Sequence, residues 1–183
     1  MRAVVGLGNP GVRYAPTRHN AGFWVLERLI GKADWSVERF LWGEVYRWGE
    51  GLLLRPLTFM NRAGVAVAGL VSRYPLKPEG LLVVLDDVDL EVGELRLRPA
   101  GGPGTHNGLR SVLSALGTQA VPRLRIGVGA PPPGMDLVCY VLSPPEEGQV
   151  PLLSRAADRA AELAWIFLTR GLKAALDQYS CGV

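Results

Sequence analysis

Only two histidines occur in the 183 residues, His19 and His106. His19 lies in a polar stretch beside Arg18 and Asn20, just ahead of an apolar helical pattern. A neutral imidazole is the usual side chain for taking a proton from water near neutral pH. A histidine in a loop is also commonly a solvated side chain or a helix cap; scarcity is what gives His19 its weight. Three acids, Asp86, Asp87 and Asp89, follow the apolar run 81–85. They fit a solvated turn, a metal site, or a carboxylate that orients an imidazole. In the last case the carboxylate accepts the Nδ1 proton, which fixes the tautomer and stabilises the imidazolium formed during catalysis. Asp86, nearest the strand end, is best placed for that task. A two-metal centre would need further clustered ligands, and two imidazoles are too few for a site built on several histidines.

Three further segments carry polar groups suited to binding. Residues 6–11, GLGNPG, formally match a dinucleotide-binding fingerprint, with Glu27 in range as the acidic partner. That fingerprint needs a helix opening directly on the glycines, so that its N-terminus faces the pyrophosphate. Here Pro10, Arg13, Tyr14 and Pro16 intervene, and apolar periodicity starts only near Asn20. The stretch reads instead as a glycine turn at a strand end that presents Asn9. Residues 58–61, TFMN, put Asn61 near a helix start, where an amide can satisfy backbone groups. Residues 101–108, GGPGTHNG, form a glycine-rich loop that runs into a helix between two arginine-bearing strands. Backbone N–H groups and a helix N-terminus suit an anion there; His106 and Asn107 also read as an N-cap pair.

The elements that must hold these residues can be read from periodicity. Residues 2–6 and 81–85 are apolar enough for buried strands, and 43–48 with 51–55 suggest a hairpin around Gly49-Glu50. Residues 94–98 and 123–128 alternate, which puts Arg96 and Arg98 on one face. Helical patterns cover 20–31, with Asn20 as a possible N-cap, and 106–116. A third follows Thr58 as a possible cap and stops before Pro75. Residues 146–178 read as one long helix, or two broken near Gly171. The Pro-rich segment 130–145 holds a possible short strand, LVCYVL, and is the best candidate for a mobile element. Strands interleaved with helices indicate one α/β domain with a mixed sheet.

Composition narrows the function classes. The chain is 48% apolar and 20% charged, as expected of a globular domain able to bury its own core. Cys139 and Cys181 are isolated, which excludes a disulfide scaffold or zinc ribbon. The start lacks the length and cleavage site of a signal peptide, and no apolar run reaches membrane-spanning length. The expected setting is the cytosol, and the expected state a monomer. No GxSxG elbow is present. Among 20 basic residues, 17 are arginine, a bias that suits phosphate recognition but also follows from codon usage. Five arginines against Glu94 give residues 92–130 a net charge of +4, whereas 131–183 carry −2. The middle of the chain is therefore a candidate phosphate-binding surface.

Taken together, YAPTRHNAGFWVLE (14–27) and GPGTHNGLRSV (102–112) resemble the two signatures of the bacterial-type peptidyl-tRNA hydrolases. GLGNPG, TFMN, the strand leading to Asp86 and RLRIGVG (123–129) follow in that family's order. The resemblance implies an α/β/α domain with a twisted mixed sheet that hydrolyses the ester between a peptide and the 3′-terminal ribose of tRNA. It implies neither cofactor nor metal, peptidyl-tRNA as partner, and no membrane. By resemblance His19 is the general base and Asp86 its orienting carboxylate. Asn9 and Asn61 hold the peptide and His19, Asn107 positions the water or the ester carbonyl, and Tyr14 and Met60 line the cleft. Arg98 and Arg125 stand where the family clamps the 5′ phosphate of tRNA, with Arg96 and Arg110 extending the patch. Residues 130–145 would form a gate, although prolines and Asp136 stand where the family often carries lysines. The competing expectation is a non-catalytic RNA-binding module on the same fold.

Overall fold

Apolar runs that do not alternate end at the centre of a sheet, because both of their faces are covered. In the computed structural model, which describes residues 1–182, the two such runs are neighbours: β1 (Arg2–Gly6) and β5 (Leu81–Asp87) pair in parallel. On one side of β1 lies β4 (Gly51–Pro56), also parallel, followed by the antiparallel β3 (Gly43–Trp48) and β2 (Ser36–Phe40). On the other side of β5 lies the parallel β7 (Arg123–Gly127), with β6 (Leu95–Arg98) antiparallel at the edge. The seven-stranded mixed sheet has the order β2-β3-β4-β1-β5-β7-β6.

The period-2 alternation of side chains divides each central strand between two cores. Val4, Leu53, Leu82 and Val84 pack against α1 (Ala21–Ile30) and α5 (Val150–Arg170). Ala3, Val5, Leu52, Leu54, Val83 and Leu85 pack against α2 (Ala63–Arg73) and α3 (Asn107–Leu116). Helices thus cover both faces, giving the expected α/β/α layering. The C-terminal helical pattern divides at Gly171 into α5 and a last helix, Leu172–Ser180.

Close approach of α1 to the sheet sets the stage for the site. A Cβ on Gly6 would lie 2.5 Å from the Gly22 carbonyl oxygen and from Leu26 Cγ; one on Gly22 would lie 2.3 Å from Leu7 N. These two glycines let the start of α1 rest on the end of β1, and with it the preceding 3-10 turn, Arg18–Asn20. The dinucleotide reading fails here as expected, since β1 ends at Gly6 and α1 begins only at Ala21.

Three local expectations are corrected. Residues 137–142 are not a strand: Leu137–Val141 is a short helix, α4, whose N-cap Asp136 accepts from Cys139 N. Thr58 caps nothing, because a 3-10 turn, Met60–Arg62, precedes α2, and the buried Thr58 hydroxyl has no partner. Asn20 occupies the N-cap position of α1, but its side chain makes no cap bond and binds Asn9 instead. Strand β2 was not legible, since its residues are exposed and carry no burial pattern; main-chain pairing with β3 defines it.

Candidate active site

The C-terminal ends of β1 and β5 and the leading turns of α1, α2 and α3 converge on one cavity of about 350 Å³. Asp86, Asp87 and Asp89 all line it, and alternation along β5 decides which acid meets the imidazoles. Asp86 shares the face of Val84, toward α1, and Asp87 takes the other face. Asp86 is 2% exposed. Its two oxygens lie 2.9 Å from His19 Nδ1, and Oδ1 lies 2.8 Å from His106 Nε2.

Hydrogen-bond bookkeeping fixes both imidazoles. His106 is the N-cap of α3, and its Nδ1 accepts from Leu109 N at 3.2 Å. That nitrogen is therefore unprotonated, and Nε2–H donates to Asp86. His19 faces a carboxylate with Nδ1, so Nδ1–H donates, and Nε2 keeps a free lone pair on the cavity side. Burial alone would raise the Asp86 pKa, yet the imidazoles of His106 and His19, through charge and hydrogen bonds, hold it well below the usual carboxylate range. Asp86 is thus an ionised anchor between two rings whose centroids are 4.8 Å apart. His19, Asp86 and His106 offer ligand atoms within 4.8 Å of one another. They could converge on a metal ion only by surrendering both N–H donors, because a ligating nitrogen must be deprotonated.

The amides are held with equal care. Asn9 is 6% exposed, and its Oδ1 accepts from Met60 N at 2.8 Å, which leaves Nδ2 as the free end. Its backbone is clasped by Asn20, which accepts from Asn9 N and donates to Asn9 O, both at 2.9 Å. Met60 is wedged against the start of α3: a Cβ on Gly108 would lie 2.3 Å from its sulfur. Asn107, the first residue of α3, takes a hydrogen bond on Oδ1 from Arg110 Nη1 at 2.8 Å. Asn61 lines both this cavity and a shallower groove between α2 and α3.

Of the residues singled out in the sequence, His19, Asp86, Asn9, Tyr14, Met60, Asn61, Asn107 and Arg125 all line the cavity. Arg98 does not; it ends β6 on the surface. Arg125 pairs with Asp87 at 3.1 Å and donates to the Gly102 carbonyl at 3.2 Å. The register sets Arg96 opposite Arg125 and Arg98 opposite Arg123, so four arginines share one face of the β6–β7 pair. Arg123 is buried there and donates to the carbonyls of Val121, Gly101, Gly102 and Gln119. Burial, with Arg125 beside it, pushes its guanidinium down to about 10, so it remains charged at neutral pH. Its work is to hold the glycine loop.

Sequence reasoning missed the second role of His106, the clasp formed by Asn20, and an apolar wall. That wall is Phe59, which meets Tyr14 edge-on at 6.3 Å between centroids, together with Leu137, Val138, Val141 and Leu142. The signal for His106 was its place between a glycine loop and a helix start. A cap needs only one ring nitrogen, which leaves the other for a partner.

A free imidazole nitrogen, an ionised carboxylate behind it and amide donors around a partly apolar cavity define a site able to activate water against an acyl carbon. Comparison with known proteins agrees. The family model described as peptidyl-tRNA hydrolase matches residues 3–182. Proteins named peptidyl-tRNA hydrolase are 44% identical over 187 residues in Symbiobacterium thermophilum, covering 98% of each chain, and 46% identical over 175 residues in Moorella thermoacetica, covering 92% of this chain and 91% of the relative. The crystal structure of peptidyl-tRNA hydrolase from Acinetobacter baumannii superimposes with a TM-score of 0.89 at 34% identity, covering 97% of this chain and 93% of that one. The chain belongs to the peptidyl-tRNA hydrolase family.

Proposed function

We propose that this chain hydrolyses the ester joining a peptide to the 3′-terminal ribose of tRNA, with His19 as general base. The observation that carries the reading is Asp86 receiving both imidazoles, so that His19 Nε2 is the one basic nitrogen left facing the cavity. Nε2 takes a proton from water as the oxygen attacks the ester carbonyl carbon. Asp86, already ionised, stabilises the imidazolium that forms. The tetrahedral oxyanion is met by amide N–H groups of Asn9 and Asn107, neutral donors that add no charge to the ground state. Collapse breaks the bond to the ribose oxygen, which takes the proton back from Nε2. The products are a peptide carboxylate and free tRNA.

Asn61, Met60 and Tyr14 hold the peptide side of the substrate. Arg98 and Arg125 take the tRNA 5′ phosphate, with the free donors of Arg98 making the looser and more salt-sensitive contact. Residues 130–145 act as the gate. Their C-terminal part is anchored: Tyr140 OH donates to Val128 O at 2.7 Å, and Arg18 stacks 4.0 Å from the Tyr140 ring and donates to Tyr140 O and Ser143 Oγ. Movement is therefore confined to the residues ahead of α4. The enzyme works as a monomer in the cytosol, where it meets peptidyl-tRNA released from translation. Among the described residues no helix is long and apolar enough to cross a membrane.

The deciding experiment is a peptide-release assay on N-acetylaminoacyl-tRNA. His19→Ala should lower turnover roughly 10²–10⁴-fold with the melting transition kept. Wild-type-like turnover in that variant would remove His19 from the role of base. A wild-type chain that binds tRNA but releases no peptide would establish the non-catalytic RNA-binding module instead.

A further inference from the structure

Arg110 stands in the first turn of α3, where the helix dipole disfavours a positive charge. The sequence suggested it as one more phosphate contact. The structure gives it a different occupation. Nη1 donates to Asn107 Oδ1 at 2.8 Å, and Nη2 donates to the Gly104 carbonyl at 2.9 Å. Both acceptors are neutral, so the guanidinium is used here as a planar fork rather than as a counter-charge.

We propose that Arg110 is a positioning residue that locks the Asn107 amide with its Nδ2 donor turned toward the cavity. An asparagine amide presents a donor at one end and an acceptor at the other, and the terminal torsion is broad and roughly two-fold. Asn9 is held from both sides in a buried setting, by Met60 N and by Asn20. Asn107 is exposed at the cavity rim, and the bond from Arg110 is what holds its side chain. With Oδ1 occupied, Nδ2 is the end left for an oxyanion. The second arm of the fork, on Gly104, ties the glycine loop to the helix start, so Asn107 and the loop move as one piece. A lysine at this position has a single point of attachment and cannot span both acceptors in one plane.

The inference rests on the ester-hydrolysis reading, and its test separates the two. Turnover is measured on N-acetylaminoacyl-tRNA and on an N-acetylaminoacyl ester of adenosine, which has no tRNA body. Arg110→Ala should lower kcat about 10-fold on both substrates, less than the roughly 10²–10³ for deleting an oxyanion donor outright. Arg110→Lys should remain within about twofold of Arg110→Ala, and Arg110→Ala should cost nothing further in an Asn107→Ala background. The side-chain amide signal of Asn107, assigned in ¹⁵N spectra by its loss in Asn107→Ala, should shift in Arg110→Ala whatever the activity. A loss confined to KM on the tRNA substrate and restored by Arg110→Lys would overturn the proposal in favour of a phosphate contact. Additive losses in the double variant, or an unmoved Asn107 signal, would overturn it as well. A wild-type chain inactive on both substrates would fail the functional reading itself, and the inference with it.

Discussion

Asp86 is 2% exposed and receives hydrogen bonds from two imidazoles; Arg98, at the end of β6, is exposed and among the described residues donates only to its own neighbour's carbonyl, Leu97 O, at 3.3 Å. The cluster around Asp86 is built from few groups, and both carboxylate oxygens are taken by imidazole nitrogens. The arginine face is built from four like charges set opposite one another, an arrangement that costs stability in a strand pair. Within that face the burden is divided: Arg123 is buried among four carbonyls, Arg125 is paired with Asp87, Arg96 pairs with Glu94, and Arg98 is left for solvent. A preorganised site concentrates its sensitivity in single atoms, whereas a charged surface spreads it over several side chains.

That contrast can be broken at its strong end first. Asp86→Asn replaces an acceptor of two N–H donors with an amide that can accept at only one end. Turnover should fall roughly 10²-fold or more, with little change in KM for tRNA, in a steady-state assay. The same variant tests the pH dependence. Asp86 has a depressed folded-state pKa, so on acidification the unfolded chain takes up this proton first. Its stabilisation is present in full above the ordinary unfolded value of about 3.9 and is lost as pH falls from there toward the folded value. Melting temperatures of the wild type should drop through that acidic window, and Asp86→Asn should flatten the drop. An unchanged acid limb would assign it to other carboxylates.

His106→Ala comes next. It removes one donor from Asp86 and the N-cap of α3, the cap alone being worth about 1 kcal/mol. A loss of turnover of about 10-fold with a lower melting temperature is expected. Full activity would mean that Asp86 orients His19 unaided. The smallest effects belong to the arginine face, and there Arg98 and Arg123 should part company. Arg98→Ala should raise KM for tRNA only a few-fold and reduce the salt slope by about one, leaving melting unchanged. Arg123→Ala strands several carbonyls and should cost about 2–3 kcal/mol in denaturant unfolding, each unsatisfied group contributing on the order of 1 kcal/mol. If both variants altered only KM, the division of labour on this face would be wrong.

The central strands, the hairpin and the long helices were legible because burial on two faces, alternation and 3.6-residue periodicity each leave a direct trace. His19 and Asp86 were legible by residue type and by position after a loop and a strand. The exposed edge strand β2 and the short helix α4 were not, since pairing and a single cap define them rather than a repeating pattern. In the sequence His106 reads as a cap, which it is, but its second nitrogen has no visible partner there, because Asp86 lies 20 residues away.

The sequence by itself determined the α/β class with its mixed sheet and the concentration of positive charge in residues 92–130, and it singled out His19 and Asp86 as candidates for a base and its carboxylate. These follow from periodicity, residue chemistry and counting, which need no long-range contact. Only the tertiary structure decided how each polar atom is used: which face of β5 presents Asp86, which tautomer each imidazole holds, which end of each asparagine is free, and which arginine is spent on the protein's own carbonyls. Those choices depend on the partner each group meets across the fold, and a hydrogen bond is set by a few tenths of an ångström that no spacing in the chain encodes.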